Sequence, residues 1–292
     1  MKASDTLFSL LEARLPAPAM AWLAKSREKV AARERARDLF MVFSAVPRYV
    51  PQQQVELRAT ETADLKKQLP GLDLSHWTLD QLARIGLLLE LSESESLFTD
   101  TLYALFDTAD MGEQIALYKG FALFPFPEKL RRQAAEGIRT NMTSVFDAIA
   151  LDNPYPAEYL EEEAWNQMVL KAAFMDRPLY RIQGLDKRSN PRLARIISDY
   201  AHERWAAGRV VSPELWRAAG QSWSETLASD MQKLFADEDP LQRQAAALLC
   251  RQADHPDARS LLDQHTPDEP KLQELAWDTL ARQWWDRQVS NP

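Results

Sequence analysis

A single cysteine, Cys250, stands in the 292 residues, so no disulfide can close within the chain and no thiolate-rich metal site can be assembled. In its context, AAALLCRQA, it reads as a small buried hydrophobe. Glycine is almost as scarce, at 8 residues, and Leu and Ala far outnumber Val and Ile. Strand-rich chains lean the other way, towards β-branched residues and glycine turns, so the composition argues for an all-α protein. Basic residues are in deficit too: 35 Lys and Arg against 43 Asp and Glu leave a net charge of −8. Duplex-binding surfaces gain affinity by neutralising phosphates, so no nucleic acid is expected as a partner. No apolar run reaches the roughly 18 residues of a membrane-spanning helix. The opening MKASDTLFSLLEARLPAP is too polar, and too soon broken by Pro16, for a signal peptide. The expectation is a cytoplasmic chain with no integral membrane segment. His76, His255 and His265 lack metal-ligand spacing, and there is no Walker loop, glycine-rich dinucleotide turn or G-x-S-x-G elbow. Neither metal nor cofactor is expected, and no residue is assigned a catalytic role.

What the chain does have is helix punctuation. Thr78 with Gln81 and Ser222 with Glu225 have capping-box spacing, in which side chain and backbone satisfy each other at a helix start. Asn190–Pro191, Ser212–Pro213 and Asp239–Pro240 each set a good N-cap before a proline suited to the first helical position. Between these marks run apolar stripes at helical spacing: Leu79, Leu82, Ile85 and Leu89; Leu102, Leu105 and Phe106; Ile138, Met142, Val145 and Ile149. Short connections suggest antiparallel helical hairpins. The exceptions are residues 176–190, DRPLYRIQGLDKRSN, which read as an ordered loop, and DNPYPA at 152–157 after a helix over 139–151. From Ser222 the text becomes helix, acidic turn and Asp-Pro helix start, which resembles a HEAT-type repeat; EQIALYKGFALFPFPEKLRRQAAEGIRTNM is a looser version. The predicted architecture is one all-α domain over 1–292, a HEAT-like α-solenoid of stacked antiparallel hairpins. Within it, 1–75 are N-terminal helices, 76–211 a motif-rich core and 212–292 the HEAT-like end.

Candidate site residues are polar groups set where the pattern calls for core. A helix over 161–175 is apolar nearly all round, yet carries Asn166, Gln167 and Lys171, the last two one turn apart. A buried ammonium needs a carboxylate, a ligand or cleft water; the plainer reading of Lys171 is a snorkelling side chain. In a helix over 191–208, Leu193, Ile197 and Tyr200 form the inward stripe and Arg204 falls within it. Such an Arg either completes a buried ion pair or recognises an anion. His202 lies nearly opposite that stripe and reads as solvated or packed, with Asp199 as its nearest carboxylate for a catalytic role. Arg139 and Asn141 open a predicted helix, where N–H groups and the dipole favour an anion, and Arg181 sits in the 176–190 loop beside Gln183, Asp186 and Arg188. Near the C-terminus, Trp277, Leu280, Ala281 and Trp284 suit an inward stripe, and Trp285 is open to core packing or a partner contact.

The stretch from 118 to 209 resembles the EboA family. The segments that carry this are YKGFALFPFPEKL, AAEGIRTNMTSVFDAIALDNPYPAEYL, AWNQMVLKAAF, YRIQGLD, NPRLARIISDYAHERWAAGR and, just beyond, VSPELW. What the resemblance implies is a chain encoded in a conserved operon with enzyme-like proteins and a membrane prenyltransferase, linked to making, moving or tailoring secondary metabolites. It carries over no catalytic residues. The leading expectation is therefore a non-catalytic accessory or scaffold protein, holding other proteins of the same pathway or a metabolite in a concave helical face. The competing one is an enzyme or binding protein for a small anionic or polyhydroxylated metabolite, lined by Asn141, Asn166, Lys171, Arg181 and Arg204.

Overall fold

The computed structural model describes residues 2–32, 36–265 and 276–290, and among them the backbone is helical with no strand. The chain divides into two compact units, Met1–Leu160 and Glu161–Pro292.

The first unit contains α1 (Ala3–Glu12), α2 (Ala17–Ala31), α3 (Ala36–Ala45), α4 (Ala59–Gln68), α5 (Leu79–Leu89), α6 (Glu95–Thr108), α7 (Met111–Gly120), α8 (Arg131–Arg139), α9 (Thr143–Ala150) and the short α10 (Tyr155–Tyr159). Its axis is α5, in which every residue but Gln81 is buried. The apolar stripe explains half of this, since α1, α2, α3, α6 and α7 pack around it. Close approach explains more: a Cβ at Gly86 would stand 3.3 Å from the Phe8 ring of α1. At the start of α5 the Thr78 amide donates to Gln81 Oε1 at 3.1 Å, so this capping box forms as expected. Charge is buried along the same helix. Arg84 lies 3.6 Å from Asp80 and 4.0 Å from Glu113, and its Nε donates to the Phe43 carbonyl. Ser44 and Thr78 hydroxyls donate to Glu113 and Asp80, so each buried charge meets a partner.

One expectation fails here. The helix predicted over 139–151 starts later: Arg139 is the last residue of α8, and α9 begins at Thr143. Ile138, Val145 and Ile149 are buried, whereas Met142 lies in the connection with 41% of its surface exposed. Arg139 consequently ends a helix and is exposed, paired with Glu136 at 3.3 Å, and Asn141 is exposed in the link.

The second unit contains α11 (Glu162–Phe174), α12 (Pro191–Ala206), α13 (Glu225–Phe235), α14 (Pro240–Gln252), α15 (Pro256–His265) and α16 (Trp277–Ser290), with 3-10 turns at Leu179–Arg181 and Pro213–Ala219. α14 is its centre and packs on α13, α15, α16 and the 213–219 turn. Cys250 belongs to its buried face, where burial pushes the thiol up to about 12. Asn190 and Asp239 cap α12 and α14 through the Leu193 and Leu241 amides, as their sequence contexts predict. Ser222 does not start α13. The cap is Ser224, whose Oγ accepts from Leu227 N at 3.2 Å, two residues beyond the expected box. α11 is also less buried than predicted: Trp165, Met168, Val169 and Ala172 face the core, while Phe174 is 72% exposed.

Candidate functional site

α11 ends by a turn that needs a left-handed residue. Asp176 takes φ 51°, and the Asp176 and Arg177 amides donate back to the Ala173 and Ala172 carbonyls at 3.2 and 2.8 Å. The turn delivers Asp176 and Arg177 to the edge of a cavity of about 440 Å³ that also takes Tyr200 and Arg204 from α12. Val210, Val211, Ser212, Glu214 and Leu215 supply another side, and Trp284, Trp285 and Gln288 of α16 close it. The volume falls within the range of small-molecule sites, about 300–1,000 Å³.

Glu214 is the most buried of these groups, with 1% of its surface exposed. Its Oε1 accepts from Leu179 N at 3.1 Å and from Trp285 Nε1 at 2.5 Å, and its Oε2 from Tyr180 N at 2.9 Å. Burial raises its carboxyl above the ordinary range despite these donors, because desolvation outweighs them. Glu214 thus fastens α16 to the 179–181 turn and places Trp285 against the cavity. Arg217 makes a second fastening, with a two-pronged contact to Asp186 (2.7 Å each) and a third prong to Asp278 at 2.6 Å. Arg204 gives Nε and Nη2 to the Val210 carbonyl at 3.3 and 2.8 Å. Two of its five N–H groups are used in this way, leaving three for a ligand. The Ser212 hydroxyl is buried and meets no hydrogen-bond partner among the described residues.

Of the residues the sequence singled out, Arg204 lines this cavity, and it is half-buried as the stripe argument requires. Asn166 is 2% exposed and forms a reciprocal amide pair with Asn190, at 3.2 and 2.9 Å. Gln167 is exposed; Lys171 is half-buried, and desolvation pulls its ammonium below the usual lysine range. Arg181 is half-buried in the 179–181 turn. Arg139 and Asn141 belong to the first unit. His202 finds its carboxylate in α13, not in Asp199: its Nε2 is 2.6 Å from Asp230, which also accepts from Ser198 Oγ at 2.5 Å. The buried Asp230 stands between hydroxyl and imidazole, so this trio is not a nucleophile paired with its base.

Glu214 and Ser212 have no local signal as site residues, and Trp285 has one only as a tryptophan open to core packing or a partner contact. Ser-Pro-Glu reads as an ordinary helix start, in which the acid complements the dipole. One of the three donors that hold Glu214 is a tryptophan 71 residues away.

Among the described residues no helix is long and apolar enough to cross a membrane, and no group of three or more His, Cys, Asp or Glu could hold a metal ion. A family model described as "Metabolite traffic protein EboA" matches residues 3–220. No curated protein and no solved structure matches the chain.

Proposed function

The chain belongs to the EboA family, and from that footing we propose that it is a non-catalytic accessory protein of a secondary-metabolite pathway, working in the cytoplasm. It binds a small anionic or polyhydroxylated metabolite in the cavity of the second unit and passes it to other proteins of the pathway. The observation that carries this reading is the cavity itself: apolar walls around a few convergent polar groups, Arg204 and the unpartnered Ser212 hydroxyl foremost. A buried hydroxyl without a partner costs about 1–3 kcal/mol, which a ligand oxygen would offset. The description of the family as metabolite traffic proteins supports holding and handing on over conversion. The helical hairpins from α13 to α15, HEAT-like in their sequence, are the proposed contact for partner proteins.

A thermal-shift screen with sugar phosphates, cyclitols and prenyl phosphates tests the metabolite reading. The expected outcome is a rise in Tm for at least one class, reduced by half or more in Arg204→Ala. A flat response across all three classes, or a rise that Arg204→Ala leaves intact, removes the cavity as the site.

A further inference from the structure

We propose that the ligand of this cavity is an amphiphile, with an anionic head held against Arg204 and Ser212 and a hydrocarbon part laid along Trp285 and over an apolar rim. The inference rests on the cavity being a ligand site and adds the class of molecule it takes.

The rim is the first observation. In the second unit the large hydrophobic side chains left exposed among the described residues are Phe174, Val210 and Val289, at 72%, 63% and 80%. One of the three is a lining residue of this cavity, and each of the others is next in sequence to one. Val210 lines it, Phe174 follows the lining residue Ala173, and Val289 follows the lining residue Gln288. On α16, Val289 is four residues beyond Trp285 and therefore continues the same helical face outward. Single exposed apolar side chains need no explanation, but Val210 in the cavity wall and Val289 on the helical face of Trp285 together offer a surface for something apolar.

The polar groups give the head its charge. Arg204 faces the cavity from α12 and keeps three N–H groups beyond those held by Val210. Of the carboxylates in this wall, Glu214 is already occupied by three N–H donors. Asp176 is exposed and sits at the turn that ends α11. Planar guanidinium groups suit phosphate or carboxylate oxygens, and the Ser212 hydroxyl adds a donor for the same head. A wholly polar ligand fits the remainder poorly, because Leu179, Val211, Leu215 and the two tryptophans offer its hydroxyls few partners. A cavity of about 440 Å³ houses a head and a short apolar segment, and a longer chain continues over the rim.

Isothermal titration of the full chain with octyl phosphate, glycerol phosphate and octanol, all kept below micelle formation, tests the assignment. Octyl phosphate is expected to bind at least tenfold more tightly than either of the others. Val210→Asn and Val289→Asn, which remove apolar surface without adding charge, should each weaken octyl phosphate about tenfold, and Val289→Asn at the outer rim should leave glycerol phosphate unchanged. Met41→Asp, which alters an exposed apolar residue of the first unit, should change neither. Glycerol phosphate binding as tightly as octyl phosphate overturns the hydrocarbon part, as do rim variants without effect. Octanol binding as tightly as octyl phosphate overturns the anionic head. In each of those cases the cavity stays a ligand site; if none of the three probes binds, and the metabolite panel is also flat, both readings fall together.

Discussion

At Glu214 a carboxyl group with 1% of its surface exposed is held by two backbone amides and an indole. Desolvation lifts its pKa above the ordinary 4.5, so the folded chain keeps the proton more tightly than the unfolded one. Protonation then favours folding in the window between 4.5 and the raised folded value. This contribution is complete below the ordinary value and is lost as pH rises through the folded one. Unfolding in urea, followed by tryptophan fluorescence between about pH 4.5 and 8, should show it. The native chain is expected to lose stability across the window relative to Glu214→Gln, which keeps an acceptor oxygen but cannot ionise. Parallel stability profiles for the two chains would mean that Glu214 does not titrate in this range. Nothing local betrays this residue in the sequence. Arg204 could be found because its neighbours Leu193, Ile197 and Tyr200 set a helical period it interrupts, whereas Glu214 takes its character from donors at Leu179, Tyr180 and Trp285 that lie far along the chain.

Helix starts were the most legible elements, because capping chemistry is settled within about three residues. Thr78, Asn190 and Asp239 stand where their contexts place them. The break between α8 and α9 was not legible, since Ile138, Val145 and Ile149 keep a helical spacing straight across it and only Met142, turned outward, departs. Asn166 shows the same limit. Its presence on an apolar helix marked it as out of place, yet its partner is Asn190, the cap of the following helix, 24 residues on. The pair joins α11 to the start of α12, which gives a specific outcome. Asn190→Ala removes an N-cap, about 1 kcal/mol, and leaves the Asn166 amide buried without its partner, about 1–3 kcal/mol more. Asn190→Ser retains a capping oxygen and should cost less. Chemical denaturation of the three chains checks the order: a serine variant as unstable as the alanine one would show that the cap contributes little. The irregular 176–190 segment was recognised as ordered from its Leu and aromatic content, and Leu179, Ile182 and Leu185 are indeed buried.

The family match ends at residue 220, inside the second unit, and about half of that unit's buried apolar residues lie beyond it. The 213–219 turn packs on α14 and α16, and it carries Leu215, Trp216, Ala218 and Ala219, each 1% exposed or less. Glu214 and Arg217 in the same turn reach Trp285 and Asp278 of α16. A chain ended after Gly220 would leave Leu215 and Trp216 uncovered at about 1.5–3 kcal/mol per large side chain, and would strip a buried carboxylate of one donor. Losses of that size over several residues exceed what a small unit can absorb, given native stabilities of about 5–15 kcal/mol. The truncated chain is therefore expected to keep the unfolding transition of Met1–Leu160 and lose that of the second unit. Calorimetry resolves the two, and the fluorescence of Trp165, Trp205 and Trp216 against Trp22 and Trp77 assigns them. Binding of octyl phosphate should vanish with the second transition, because Trp284 and Trp285 form one side of the cavity. A truncated chain that melts like the full one and still binds would mean that α13 to α16 are dispensable, and that the ligand is held wholly within the family-matched residues.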